Sequence, residues 1–155
     1  MSGKAQPLNS PDYYDGRDTV LFVWDKSLEI GNDEIDSQHK EIFKRVNKLL
    51  SAMADGSGKD TIGKLIEFLT DYVVSHFDAE ESLMRKHHYT EYQLHKMQHK
   101  LLTTDVLQIK QEFEGQGASS NLVIQIQKKV CNWLKSHIST EDKKFVLTTK
   151  NSEHL

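Results

Sequence analysis

The sequence predicts an all-α protein: an antiparallel up-down-up-down four-helix bundle preceded by an extended N-terminal arm. Both prolines, Pro7 and Pro11, lie in the opening segment, so no later helix is interrupted by a missing amide donor. Beyond that segment, apolar residues recur every three or four positions, as they do on one face of a helix. Four runs of similar length with short connections are typical of an antiparallel bundle.

The length of 155 residues fits one domain with a single core. Residues 1–18 are rich in Gly, Ser, Asn and Asp and predict a flexible arm. Residues 19–148 are predicted to form the bundle, with Val20 to Trp24 entering it as an extended apolar stretch, and residues 149–155 to form a C-terminal tail.

The first two helices are bounded by polar and glycine-containing connections. Helix one begins at Asn32 or Asp33, and its apolar stripe stops before Gly56. Helix two begins near Asp60 and keeps the same period up to the turn at His87. Both helices are therefore predicted to be long and amphipathic.

The last two helices begin at residues that favour helix N-termini. Thr90 followed by Gln93 forms a capping-box pattern, and the third apolar stripe runs from there to Gly115. Ser119 or Ser120 can cap the fourth helix. These starts complete the four-helix prediction.

Composition and charge exclude several classes of function. The 20 Lys and Arg residues against 23 Asp and Glu give a net charge of -3 without long blocks of one sign, so nucleic acid is not an expected partner. The sequence shows neither a long apolar run nor a secretory signal, and we expect a cytoplasmic protein without a membrane partner. Because Cys131 is the single cysteine, a metal would need histidine and carboxylate ligands.

Two pairs of polar residues occur at helical spacing on faces predicted to be buried. His76 and Glu80 are four positions apart on helix two, and His95 and His99 are four apart on helix three. Each pair therefore projects from one face toward one point. One such pair alone would more often be an ordinary hydrogen-bonded pair, but two pairs favour a metal site.

The other two helices each add a histidine to an apolar stripe, His39 on helix one and His137 on helix four. Burying five imidazoles without partners would be strongly unfavourable, so unrelated core histidines are a poor explanation. The spacing does not decide which carboxylate after His137 is the ligand. Glu141 suits a straight helix, whereas the Ser-Thr pair before it can disturb the helix in favour of Asp142.

The order and spacing of these residues resemble the hemerythrin family, specifically its bacterial hemerythrin-like members. The resemblance covers about residues 20–147. It is carried by His39, His76-Phe77-x-x-Glu80, His95-x-x-x-His99 and His137-Ile138-x-x-x-Asp142, with Trp24 upstream and Trp133-Leu134 before the last histidine.

The resemblance implies a non-haem di-iron site with a bridging oxo or hydroxo group. In that family the carboxylate ligand lies five residues past the final histidine, so the resemblance favours Asp142 over Glu141. On helix two the resemblance favours Glu80 over Glu81 as the carboxylate ligand. The iron with two histidines keeps an open position, where the family binds dioxygen. The implied ligands are His39 and His76 for that iron, His95, His99 and His137 for the other, and Glu80 and Asp142 as bridges.

An apolar lining would keep water and protons away from the open position. The candidates lie one turn or one residue from the ligands, and plain core packing explains them equally well: Ile42, Phe77, Trp133, Leu134 and Ile138. The chain has no Glu-x-x-His pattern, which disfavours the carboxylate-rich di-iron oxygenases and ferritins.

We therefore expect reversible dioxygen binding by a protein that is not an enzyme, acting as a carrier, a store or a supply to oxygenases. One alternative is an oxygen or redox sensor that signals to a partner protein. Another is a di-iron enzyme that reduces O2, peroxide or nitric oxide, which the lack of a clear proton-delivering acid disfavours. A structural zinc site is disfavoured because seven ligands exceed a closed tetrahedral set.

Overall fold

The computed structural model describes residues 12–14 and 20–153, and it confirms the four-helix bundle. Helix α1 is Asp33–Ala54, α2 is Lys59–Lys86 and α3 is Tyr92–Gln116. Helix α4 spans residues 120–153 in five consecutive segments: α-helical Ser120–Gln125, π-helical Ile126–Asn132, α-helical Trp133–His137, π-helical Ile138–Asp142 and α-helical Lys143–Glu153. Consecutive helices pack against one another, as short connections require.

A short hairpin precedes the bundle. Strand β1, Asp12–Tyr14, pairs antiparallel with β2, Val20–Phe22, and a 3-10 turn at Lys26–Leu28 leads on to α1. The amide of Asn47 on α1 bonds the backbone of Phe22 twice, because Oδ1 accepts from its N–H at 2.5 Å and Nδ2 donates to its carbonyl at 2.7 Å. The end of β2 is thereby anchored to the first helix.

The predicted division into arm, bundle and tail lies only partly within the described residues. Most of the predicted arm, residues 1–18, lies outside the described residues, although residues 12–14 form β1. Helix α4 continues to Glu153, through most of the segment predicted as a tail, and residues 154–155 lie outside the description. The boundaries of arm and tail therefore stay predictions.

Two of the predicted helix starts are capped as the sequence indicates. The side chain of Asn32 accepts a hydrogen bond from the Ile35 N–H at 3.0 Å at the start of α1. Ser119 accepts from the Leu122 N–H at 3.1 Å at the start of α4. Each oxygen satisfies a first-turn amide that has no partner within its own helix.

The capping box predicted for Thr90 and Gln93 is wrong. Helix α3 begins at Tyr92, and Glu91 occupies the cap position without a side-chain hydrogen bond. The reason is a tight turn, in which the Tyr92 N–H bonds the Tyr89 carbonyl at 3.2 Å. That turn leaves Thr90 one residue too early to cap the first turn of the helix.

All four helices contribute to one apolar core. Its most deeply buried members are at most 1% exposed and include Ile42, Val46, Ile66, Leu102 and Ile126. Within the described part of the chain, no helix combines the length and apolar character needed to cross a bilayer. The polar residues buried beside this core form the site described next.

Candidate metal centre

Seven polar side chains meet inside the bundle, and each is at most 5% exposed. They come from all four helices, so the tertiary fold and not one local motif builds the site. These side chains are His39 of α1, His76 and Glu80 of α2, His95 and His99 of α3, and His137 and Asp142 of α4. The structure thus brings together every residue that the family resemblance implies as a ligand, and of the two carboxylates that spacing left open it includes Asp142.

The seven side chains form two clusters that share both carboxylates. The two-histidine cluster contains His39 and His76, and the three-histidine cluster contains His95, His99 and His137. In each cluster the potential ligand atoms, including those of the two carboxylates, lie within 4.8 Å of one another. Each cluster therefore has the composition and size of a site for one metal ion.

Glu80 directs a different oxygen toward each cluster. Its Oε2 lies 3.4 Å from His76 Nε2 in the two-histidine cluster. Its Oε1 lies 3.1 Å from His99 Nε2 in the three-histidine cluster. A carboxylate with one oxygen on each side has the arrangement that bridging two cations requires.

Asp142 shows the same division. Its Oδ2 lies 3.1 Å from His39 Nε2 in the two-histidine cluster. On the other side, its Oδ1 lies 2.9 Å from His95 Nε2 and 3.2 Å from His137 Nε2. The two carboxylates therefore connect the clusters in parallel.

A π-helical turn explains why Asp142, and not Glu141, reaches the clusters. The Lys143 N–H bonds the Ile138 carbonyl five residues back, which widens the turn beyond the usual four-residue step. His137 and Asp142 consequently project from one face, whereas Glu141 lies outside both clusters and is half-buried.

The residues between them fit this distortion. The Thr140 hydroxyl donates to the Ser136 carbonyl at 2.7 Å, and the Ser139 hydroxyl donates to the Lys135 carbonyl at 2.8 Å. Such bonds from hydroxyl groups to carbonyls of the preceding turn often bend a helix.

Several buried atoms of the site form no well-aligned hydrogen bond among the described residues, although other imidazole and carboxylate atoms lie close to them. Four of them face the clusters, namely His39 Nε2, His99 Nε2, Glu80 Oε2 and Asp142 Oδ1, and the other two are His39 Nδ1 and His95 Nδ1. Buried polar atoms without partners are costly, and they are rare in folded proteins. Imidazole nitrogens and carboxylate oxygens that converge in this way fit cations coordinated between them.

The buried carboxylates and imidazoles of the site shift one another's pKa values. Burial and the Asp142 carboxylate act to raise the pKa of Glu80, but hydrogen bonds with imidazoles outweigh them and lower it to about 2. Burial acts to lower the pKa of His95, whereas hydrogen bonds with Asp142 and Glu80 raise it to about 9. Protonated imidazole thus balances buried carboxylate, and a bound cation would have to displace such protons.

Two further polar residues touch the outer nitrogens of the histidines. Gln38 Oε1 lies 2.7 Å from His76 Nδ1, and Glu81 Oε2 lies 2.8 Å from His99 Nδ1. The sequence analysis missed Gln38 altogether, and it considered Glu81 only as the less favoured alternative to Glu80, not as a partner of His99. The sequence feature that could have indicated them is their position beside candidate ligands, because Gln38 directly precedes His39 and Glu81 directly follows Glu80.

The residues suggested as an apolar lining are mostly buried. Ile42, Phe77, Leu134 and Ile138 are at most 4% exposed, whereas Trp133 is half-buried. Their role at an open metal position stays a prediction.

The two aromatic candidates stack on imidazoles of the three-histidine cluster. Phe77 lies 3.8 Å from His99 between ring centroids, at an interplanar angle of 4°. Trp133 lies 4.4 Å from His137, at 14°. These contacts hold two imidazole planes of that cluster in place.

Fold and site define a four-helix-bundle protein with a buried histidine–carboxylate site between its helices. The family model described as the hemerythrin HHE cation binding domain matches residues 30–147. The chain therefore belongs to the hemerythrin family.

Relatives agree with this assignment along most of the chain. A bacteriohemerythrin of Methylococcus capsulatus is 37% identical over 126 residues, which cover 80% of this chain and 93% of that protein. A bacteriohemerythrin of Pseudomonas aeruginosa PAO1 is 32% identical over 131 residues, covering 84% and 83%. A hemerythrin-like protein of Naegleria gruberi is 32% identical over 124 residues, covering 80% and 90%.

A solved structure supports the same conclusion for the fold. The crystal structure of a wild-type hemerythrin superposes with a TM-score of 0.65 at 33% identity, and the match covers 74% of this chain and 86% of that one. The family resemblance deduced from the motif spacing is confirmed.

Proposed function

We propose that the protein binds dioxygen reversibly at a non-haem di-iron centre with a bridging oxo or hydroxo group. In this proposal it carries, stores or supplies O2 in the cytoplasm, for instance to an oxygenase, and it is not an enzyme. The observation that carries the proposal is that Glu80 and Asp142 each direct one carboxylate oxygen toward each cluster.

The proposed ligands leave one metal position free. Two six-coordinate ions need about twelve bonds, and five imidazoles, two bridging carboxylates and one bridging oxygen atom supply about eleven. The missing bond falls on the side of His39 and His76, where only two imidazoles are available. Bound as Fe(II), the ions would supply the electrons that O2 takes up on binding and would recover them on its release.

The side chains of this site favour reversible binding over turnover. Ile42, Leu134 and Ile138 are each at most 1% exposed and would exclude water beside the ligands. Among the described residues, each buried carboxylate is already engaged. Glu80 and Asp142 face both clusters, Glu81 bonds His99, and Asp36 accepts from the Ile30 N–H. None of them is placed as a free proton donor for O2 reduction.

The test is a visible absorption spectrum of the anaerobically reduced protein, with iron quantified, while air is admitted and then removed. We expect two irons per chain and an absorption band that appears and disappears over repeated cycles. A band that appears once and is reset only by a reductant would instead favour O2 reduction or redox sensing. A preparation that retains zinc in preference to iron would refute the di-iron assignment.

A further inference from the structure

The two clusters differ in the charge of the group behind one imidazole. His99 Nδ1 faces the Glu81 carboxylate at 2.8 Å, whereas His76 Nδ1 faces the neutral amide oxygen of Gln38 at 2.7 Å. Both imidazoles direct Nε2 toward Glu80 on the inner side. With Nε2 facing the cluster, Nδ1–H is the donor to the outer oxygen in each case.

The outer acceptor changes how strongly an imidazole donates to a metal. A carboxylate that accepts from Nδ1–H raises the basicity of the ligand, and such a charge-assisted bond is stronger than one to an amide. Glu81 is only 8% exposed, so water screens its charge weakly. Gln38 holds its imidazole in the same orientation without adding a charge.

Ring packing reinforces the difference between the clusters. Phe77 stacks on the His99 ring at 3.8 Å, which fixes the plane in which Nδ1 meets Glu81. His76 meets the same phenyl ring only obliquely, at 5.8 Å and 48°. The charged contact therefore belongs to the more constrained imidazole.

We propose that Glu81 is a positioning residue that makes the ion of the three-histidine cluster the more easily oxidised of the two. Neutral Gln38 leaves the ion of the two-histidine cluster the more easily reduced. This inference rests on the proposed di-iron function. Each reduction converts one Fe(III) to Fe(II) by gain of one electron from an external reductant, with no bond broken and no atom transferred. In a half-reduced protein, Fe(II) would then lie on the side with the open position.

The experiment is an anaerobic redox titration of the iron-loaded protein and of the variants Glu81→Gln and Gln38→Glu, with dithionite as reductant. Glu81→Gln keeps an acceptor of nearly the same size and removes only the charge. We expect it to raise the lower midpoint, so that the ratio of reduced to oxidised iron at a fixed potential rises about tenfold, or about 59 mV for one electron. Gln38→Glu places a charge behind the other imidazole, and we expect it to lower the upper midpoint.

The outcomes separate charge from structure. A merely structural Glu81 predicts unchanged midpoints in Glu81→Gln, and that result overturns the proposal. Equal shifts of both midpoints in one variant also overturn it, because the effect would not be confined to one ion. If Glu81→Gln fails to retain iron, Gln38→Glu decides alone. A parent protein that loads two irons but does not release O2 intact refutes the proposed function and leaves this test valid.

Discussion

Raising the pH should destabilise the iron-free protein far more than the iron-loaded one. Hydrogen bonds with Asp142 and Glu80 raise the pKa of His95 to about 9 from an ordinary value of 6.5. Since this pKa is raised on folding, the stabilisation from the proton is complete below pH 6.5. It is then lost as the pH rises through 9.

The size of the effect follows from the shift. A change of about 2.5 pKa units corresponds to about 3 kcal/mol, because each unit is worth about 1.4 kcal/mol. The His95 side chain is only 2% exposed, so solvent screens the interaction weakly. In a chain of this size about 3 kcal/mol corresponds to a fall in Tm of about 6–12 °C between pH 6.5 and pH 9.

At low pH, stability is limited by Glu80, whose pKa is shifted in the opposite direction to that of His95. Glu80 has its pKa lowered to about 2 from an ordinary 4.5, so its stabilisation is present above pH 4.5 and is lost as the pH falls toward 2. Iron-free protein should therefore be most stable between about pH 4.5 and pH 6.5. The same carboxylate–imidazole contacts produce both limits, so their energies are not summed.

The assay is thermal or urea unfolding of iron-free and iron-loaded protein at pH 5.5, 7 and 9. Iron requires neutral imidazole, so the iron-loaded protein should gain stability relative to the iron-free form as the pH rises. His87→Ala is the matched control, because His87 lies outside both clusters. An iron-free protein with the same stability at pH 5.5 and pH 9 would refute the reasoning.

Three further substitutions, two of them paired with a control variant, test the site more directly. His95→Ala should lose iron, whereas His87→Ala should retain two irons per chain; equal iron contents in the two would contradict the ligand set. Asp142→Asn should lower the iron content, whereas Glu141→Gln should leave it unchanged. If metal analysis shows iron loss only in Glu141→Gln, the assignment of Asp142 as the bridging carboxylate is wrong. Leu134→Ala should lower the free energy of unfolding in urea by about 2–5 kcal/mol, because it leaves a cavity where a side chain only 1% exposed was packed. The same cavity should admit water and speed the decay of the oxygenated spectrum. An unchanged decay rate would remove Leu134 from the lining.

The helices and the candidate ligands could be predicted because both depend on periodicity. A residue such as His39 within the stripe of Ile35 and Ile42 must face the core if the helix is regular. The same reasoning could not decide between Glu141 and Asp142, because it assumes the α-helical step that the π-helical turn at Ile138–Asp142 replaces. Only the resemblance selected the residue that the fold brings inward.

Sequence spacing could not supply contacts that depend on the meeting of different helices. Glu81 precedes His99 by 18 residues, and Gln38 precedes His76 by 38. Neither separation corresponds to the three- or four-residue spacing of contacts within one helix, because each pair forms where two neighbouring helices pack together. The failed cap at Thr90 has a more local cause, because the turn at Tyr89 that displaced it was not apparent from a four-residue pattern.

Two independent features make the halves of the site unequal. The number of histidines, two on one side and three on the other, determines where the proposed open position falls. In the proposed di-iron centre, the charge behind the imidazoles, neutral at Gln38 and anionic at Glu81, would determine which ion is the harder to reduce. Because Glu81 lies on the three-histidine side, its charge would favour Fe(III) there and leave Fe(II) beside the proposed open position. Exchanging the two outer partners while retaining all seven ligands would therefore reverse the redox order without moving the open position.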